Sequence, residues 1–279
     1  MTGRGKDEQH LAELEQVARE IRGTVVQMSH ASRAPHLGSN LSCVDLLVAA
    51  YFAELRIDPN EPTAGDRDRF ILSKGHAAAA LYATLAARGF FPTAELSRFN
   101  ETGYKLPEQP SPRCVPGVEL ATGSLGHGLG VGVGMALAAR IQGRPYHTFC
   151  LLSDGECNEG SVWEAAMFAP AQRLGNFTAI VDYNRWQATG RSDEVLALGP
   201  LAEKWRAFGW QTCEVDGHDL RQIQSAIAAP RDRSSDTPTA VIAHTVKGKG
   251  VSFMEDDNNW HYRIPTAEEV AAARRELCL

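Results

Sequence analysis

Residues 149–160 read Phe-Cys-Leu-Leu-Ser-Asp-Gly-Glu-Cys-Asn-Glu-Gly, an apolar run that gives way to acids, an amide and two glycines. FCLL has the composition of a buried strand, and SDGECNEG that of the turn leaving it. Short apolar stretches of the same kind recur at 70–72, 177–182, 210–215 and 239–244, with 147–152 the one that ends here. Helical patterns separate or flank them, at 8–31, 42–55, 77–88, 135–140, 160–174, near 200–208, and at 219–229 and 266–276. In the first of these, Leu11, Leu14, Val17, Ile21 and Val25 recur at helical spacing. The second has Ser42 or Asn40 available as a cap near its start. Buried strands alternating with helices predict an α/β fold with a mostly parallel sheet and helices on both faces. No internal repeat is visible, so one domain is expected over 1–279, with 230–238 a surface loop. Residues 101–118 are polar and proline-rich, and a loop that long inside a compact domain is expected to serve the active site.

Composition narrows the function. Hydrophobic residues make up 43% and charged residues 22% of a 279-residue chain with a formal net charge of −6. That is ordinary for a globular protein, and the scattered Lys and Arg form no basic stripe for nucleic acid. The polar N-terminus lacks a secretion signal's apolar core, and no run approaches the roughly 20 apolar residues of a membrane helix. Cys43, Cys114, Cys150, Cys157, Cys213 and Cys278 form no CxxC pair, which argues against a zinc site or a disulfide framework. A reduced, cytoplasmic protein is expected.

In such sheets ligands bind beyond the carboxyl ends of the strands, where SDGECNEG lies. A calcium loop starting at Asp154 would need Gly at its sixth position and Glu at its twelfth, but these are Glu159 and Ala165. No phosphate loop of the GxxxxGK[ST] type occurs. The run from Gly126 to Gly134 contains no GxGxxG frame, so a nicotinamide cofactor is not supported. Two readings of that run stay open: close helix packing through small residues, or contact with another cofactor. The strand at 177–182 ends in Asp182-Tyr183-Asn184, which sets an amide thirty positions after Asp154. A carboxylate and an amide at two strand ends offer hard oxygen ligands, and Mg²⁺ takes its other ligands from water and phosphate. Gly155 leaves room for a phosphate to approach, and a helix from about 160 would turn its positive end toward it. A plain Asp-Gly turn is the competing reading.

The motif DGxxxEG followed by Asn184 resembles the thiamine-diphosphate-binding motif of transketolases. Ser73-Lys74-Gly75-His76-Ala77, Pro116-Gly117-Val118-Glu119 with Thr122-Gly123-Ser124-Leu125-Gly126, and His36-Leu37-Gly38-Ser39 resemble further family segments. So does Lys247-Gly248-Lys249-Gly250-Val251-Ser252-Phe253-Met254 with Trp260-His261, and all occur in the family's order from about residue 15 to 265. The resemblance implies a thiamin-diphosphate-binding fold, the cofactors thiamine diphosphate and Mg²⁺, and transfer of a two-carbon ketol unit between sugars. It implies Mg²⁺ ligation by Asp154, Asn184 and the Trp186 carbonyl, and cofactor contacts from Gly155, Asn184, His76, Lys247, His261, Gly123, Ser124 and Leu125. His36, Ser39 and His261 would face substrate oxygens, with His36, His76 and His261 stabilising or relaying protons. Glu159 resembles a family glutamate at the subunit interface, linked to proton relay, though an acid starting a helix is an equally good reading. His10, His147 and His244 are expected to be structural, and His218 a turn or cap feature.

The departures are informative. Gln109-Pro110 stands where the family has His-Pro, His127 stands where it has Gln, and Tyr262 follows Trp260-His261 where it has Gly. A retained cofactor with a changed substrate is the reading these support. The chain ends at Leu279, where the first domain of full-length transketolases would end. The resemblance therefore implies the N-terminal subunit of a split transketolase, inactive without a C-terminal partner subunit carrying the pyrimidine-binding domain, in an α2β2 heterotetramer. Alternatives are a subunit of a related acyloin-forming enzyme in a specialised pathway, and a non-catalytic module that binds the cofactor or a partner.

Overall fold

The structure, a computed structural model, describes residues 3–112, 114–228 and 235–279. Five strands form one parallel sheet: β1 (Arg69–Leu72), β2 (Thr148–Ser153), β3 (Phe177–Tyr183), β4 (Gln211–Asp216) and β5 (Thr239–His244), in the order β1-β2-β3-β5-β4. Every residue of β2 is buried, as the apolar run predicts for a strand covered on both faces.

On one face pack α1 (Gly3–Ser32), α2 (Leu37–Ser42), α3 (Val44–Ala49), α4 (Ala78–Arg88), α9 (Leu220–Ile227) and α10 (Ala267–Glu276). The other face carries α5 (His127–Ile141), α6 (Gly160–Ala171) and α8 (Leu201–Ala207); the short α7 (Ser192–Val195) belongs to the loop after β3. Trp205, Trp210, Phe177 and Val181 anchor the second core. The residues at 101–118 have no helix or strand, apart from Arg113, which lies outside the described residues. Of the loop expected at 230–238, positions 230–234 also lie outside them.

Three expectations need correction. The single helix read over 42–55 is broken at Cys43 into α2 and α3, and the last turn, Ala50–Glu54, widens to π-helical bonding. The break follows from the composition of Leu37–Ser42, whose Gly, Ser and Asn are weak helix formers held by tertiary contacts. Neither proposed cap acts as one: Ser42 donates to Asp182, and the Asn40 side chain bonds the His36 and His76 carbonyls and the Ala80 amide. Second, α5 begins at His127 and absorbs most of the glycine run. Packing explains two of its glycines, since a side chain on Gly128 would strike Ser73 and one on Gly132 the Phe177 ring, while Gly130 and Gly134 face open space. Third, of the turn or cap reading of His218 only the turn holds: its amide donates to Asp216 Oδ1 (2.9 Å), Asp219 caps α9, and the His218 ring bridges Asp45 Oδ2 (2.7 Å) and the Val246 amide (2.8 Å).

Candidate active site

Four adjacent strands deliver polar residues at their carboxyl ends: Lys74 and His76 after β1, Asp154 after β2, Asp182 and Asn184 at β3, Thr245 and Lys247 after β5. Asp154 is fully buried. Its Oδ1 accepts from the Gly155 amide (2.9 Å), and its Oδ2 from the Arg185 amide and the Ser192 hydroxyl (both 2.8 Å). The hairpin at 185–192 makes this possible by folding Ser192 back over the strand end. Among the described residues no cation pairs with Asp154. Burial pushes its carboxyl up to about 6, with nearby Asp182 adding to the effect and its hydrogen bonds opposing it. Asn184 Oδ1 accepts from the Trp186 amide (3.0 Å), while among the described residues no donor reaches the Trp186 carbonyl. Asp154, Asn184 and Trp186 thus converge on one turn, and their oxygens suit a hard cation.

A 3₁₀ turn, Gly155–Asn158, stands between Asp154 and α6. It carries Glu156 inward, where the carboxylate accepts from the Ser73 hydroxyl and from the Gly126 (2.8 Å) and Ser153 (3.2 Å) amides. Burial raises the Glu156 pKa, and these donors offset part of the rise. Glu159, three residues on, is exposed, as is Ser124, while Leu125 is half-buried beside it.

Two lysines are fully buried here, and their partners differ. Lys74 pairs with Asp182 and donates to the Ser39 carbonyl (2.9 Å); Ser42 (2.6 Å) and Thr245 also donate to Asp182. Burial opposes the Lys74 charge, but Asp182 outweighs it and raises the pKa. Among the described residues Lys247 has only neutral partners, Asn258 Oδ1 (2.6 Å) and His261 Nδ1 (3.1 Å). Burial, reinforced by the Lys74 charge, lowers it to about 8. Lys247 reaches this place by crossing Gly38, where any Cβ would stand 2.9 Å from Lys247 Cγ.

Around the Lys247 ammonium stand three imidazoles. His36 lies 5.4 Å from His76 and 5.0 Å from His261, centroid to centroid, and His76 lies 6.2 Å from His261. A backbone bond from His36 N to His261 O (2.7 Å) ties the two chain segments together, with His36 held at φ 69°. Burial lowers all three: His261 falls to about 3, with Lys247 assisting; His76 falls well below the ordinary range; and in His36 nearby Glu108 resists the shift. At neutral pH the cluster is uncharged, and its burial makes a lasting positive charge on any of the three rings costly. The loop at 101–118 reaches this cluster, setting Glu108 Oε1 3.2 Å from His36 Nδ1. The next residue, Gln109, rests on Gly123, whose φ of 133° and contact with the Gln109 amide leave no room for a side chain.

The structure therefore assembles Asp154, Asn184, Trp186 and Gly155 at one corner and His36, Ser39, His76, Lys247 and His261 beside it. Gly123 meets this group through a close approach to Gly75, while Ser124 and Glu159 stay on the open surface. Sequence reasoning gave no role to Lys74, Asp182, Thr245, Glu156 or Glu108, and gave Ser42 only that of a helix cap. Charged residues inside otherwise apolar strand ends were the available signal for Lys74 and Asp182.

The buried imidazoles set the acid response. An unfolded chain protonates its histidines at about pH 6.5, whereas the folded cluster resists until far lower. Their stabilising contribution is fully present above that pH and is lost as pH falls toward 3. Asp154 has the opposite sign: its folded pKa of about 6 exceeds the unfolded value of roughly 3.9, so its contribution is lost as pH rises between them. Glu156, also raised by burial, shares the sign of Asp154, and three imidazoles outweigh the two carboxylates. Thermal melts of the chain alone should show a falling midpoint from pH 6.5 to 5, flattened in H76Q, whereas a rising midpoint would contradict the assignment.

A parallel α/β sheet that gathers a buried carboxylate and a buried ammonium beyond its strand ends offers a site for a charged ligand. Comparison with known proteins specifies which. The profile described as "Transketolase, thiamine diphosphate binding domain" matches residues 14–279. An apulose-4-phosphate transketolase subunit of Phocaeicola vulgatus is 42% identical over 264 residues, covering 95% of this chain and 93% of that protein. The 6-deoxy-6-sulfo-D-fructose transketolase subunit SqwG of a Clostridium species is 43% identical over 242 residues, 87% of this chain and 88% of that one. The solved transketolase from Pichia stipitis in complex with sedoheptulose 7-phosphate aligns with a TM-score of 0.88 at 30% identity, over 95% of this chain. The chain spans only 41% of that structure's length, and 43% of the Campylobacter jejuni transketolase, which it matches with the same TM-score. The chain belongs to the transketolase family and comprises its thiamine-diphosphate-binding domain. The names of these relatives lend no support to the acyloin-forming or non-catalytic alternatives. No helix among the described residues is long and apolar enough to cross a membrane.

Proposed function

We propose that this chain is the cofactor-binding subunit of a two-component transketolase. It would move a two-carbon ketol unit from a ketose to an aldose in an α2β2 assembly with a subunit carrying the pyrimidine-binding domain. One observation supports the reading above the others: one site holds a buried carboxylate and a buried ammonium that, among the described residues, pair with no cation and no anion. Mg²⁺ supplies what Asp154 lacks, and a diphosphate what Lys247 lacks.

In this reading Asp154, Asn184 and the Trp186 carbonyl hold Mg²⁺. Gly155, His76, Lys247 and His261 hold the diphosphate, and Gly123, Ser124 and Leu125 line the cofactor's channel. When bound, thiamine diphosphate supplies carbanion stabilisation. The chain's own part is to bind, orient and move protons. His36, Ser39 and His261 face the substrate's hydroxyl and carbonyl oxygens. A neutral imidazole there accepts a hydroxyl proton as the carbon–carbon bond breaks, and returns one when the acceptor's aldehyde oxygen becomes a hydroxyl. The Lys247 charge makes an imidazolium costly, so the proton does not linger. Glu159 is exposed in the single chain and would face the partner subunit. The chain spans 1–279 as one domain with 101–118 as the active-site loop, and the free cysteines suit the cytoplasm.

Ketol transfer between a ketose phosphate and an aldose phosphate tests this. The chain alone should be inactive, and the chain mixed with its partner should turn over at ordinary enzymatic rates; turnover by the isolated chain would overturn the two-component reading.

A further inference from the structure

We propose that Glu108 is a specificity-determining residue that admits ketose donors and rejects 2-oxo acids. The inference rests on the reading that His36 faces the donor, and deepens it. Glu108 sits in the loop at 101–118, its side chain one-third exposed, with Oε1 3.2 Å from His36 Nδ1. That nitrogen is otherwise buried without a partner among the described residues. His36 is in ring contact with both His76 and His261, so the Glu108 carboxylate forms the outer wall of the imidazole cluster. Tyr262, largely exposed, stands 6.1 Å from His36 on the same rim. Neither buried lysine pairs with Glu108 among the described residues: Lys74 is paired with Asp182, and Lys247 is held by Asn258 and His261.

Two donor classes can yield the same two-carbon unit. In a ketose, the bond between the carbonyl carbon and the adjacent hydroxyl-bearing carbon breaks. The electron pair stays with the two-carbon unit, the hydroxyl proton passes to a base, and an aldose leaves. In 3-hydroxypyruvate, the bond from the carbonyl carbon to the carboxylate carbon breaks, the pair again stays, and CO₂ leaves. The chemistry differs at one place only: a neutral hydroxyl-bearing carbon in one donor, a full negative charge in the other. A carboxylate at the rim can accept a hydrogen bond from the first, and repels the second.

The test uses the complex of this chain with its partner subunit. The ratio of kcat/KM for 3-hydroxypyruvate to kcat/KM for xylulose 5-phosphate and fructose 6-phosphate is measured in wild type, E108Q and E108D. We expect E108Q to raise the ratio about tenfold, E108D to leave it near the wild-type value, and the difference to shrink at high salt. A ratio unchanged in E108Q, with both donors turned over and a wild-type melting temperature, overturns the proposal and leaves the transketolase reading standing. A wild-type complex that turns over neither donor class overturns both.

Discussion

Asp154→Ala, assembled with its partner, should lose at least a hundredfold in affinity for Mg²⁺ and in ketol-transfer activity, yet fold as stably as wild type to within about 1 kcal/mol. The second half of that expectation separates a cofactor ligand from a structural acid. In the unliganded chain Asp154 is a buried carboxylate whose burial raises its pKa to about 6, so its charge costs stability at neutral pH. Removing it relieves that cost while orphaning the Arg185 and Gly155 amides, and the two changes oppose each other. Thiamine diphosphate with Mg²⁺ at 100 times the dissociation constant should stabilise wild type by about 2.7 kcal/mol and leave the variant unmoved. Melting curves with and without both ligands check this. A variant that still gains stability from them would remove Asp154 from the metal site. Because the metal requires the ionised carboxylate, wild-type affinity for Mg²⁺ should also weaken as pH falls below about 6.

Lys74→Met should destabilise the folded chain by about 3–5 kcal/mol, because it leaves Asp182 buried with its charge uncompensated. Asp182 would keep only the Ser42 and Thr245 hydroxyls. K74M/D182N should recover most of the loss, since a neutral amide oxygen still accepts from those hydroxyls. Urea unfolding of the two variants measures the difference directly, and a single variant within 1 kcal/mol of wild type would contradict the account. The pair also has a positional role. Lys74 and Asp182 join β1 to β3 across β2, holding the Asn184 turn in register with Asp154.

The architecture was legible because its signals are local. Each strand is a run of apolar residues bounded by polar ones, and β2 and β3 fall within about a residue of where the sequence alone sets them. The Asp154–Asn184 corner was legible for a related reason: in a parallel sheet, residues that directly follow two adjacent strands must be neighbours, so the two could be paired before any coordinates. Long-range pairings were not legible. Lys74 meets Asp182 across 108 positions, and nothing in either strand's own composition selects that partner. The turn after β2 also held a residue of unseen role. Glu156 lies between Asp154 and Glu159, and only the 3₁₀ turn reveals that Glu156 points inward while Glu159 faces out. The break at Cys43 was hidden because the weak helix formers of Leu37–Ser42 are held in place by tertiary contacts of Ser42 and Asn40, which no local pattern announces.

The departures from the family pattern now have locations. Gln109 rests on Gly123 and Tyr262 packs edge-on to His261 at 4.7 Å, both beside the imidazole cluster, while His127 is exposed at the start of α5. Asp154, Asn184 and Gly155, which match the family motif, sit at the corner beyond β2 and β3. That separation fits a site in which cofactor chemistry is kept while the donor changes.

The central claim is that a buried carboxylate and a buried ammonium hold one diphosphate through one metal ion. Calorimetric titration of thiamine diphosphate into the complex of both subunits, with Mg²⁺ and then with chelator in its place, tests it most directly, with thiamine as the control ligand. The account predicts saturable binding of thiamine diphosphate that chelator reduces at least a hundredfold, and little binding of thiamine under either condition. Equal binding with and without the metal, or equal binding of thiamine and its diphosphate, would contradict it.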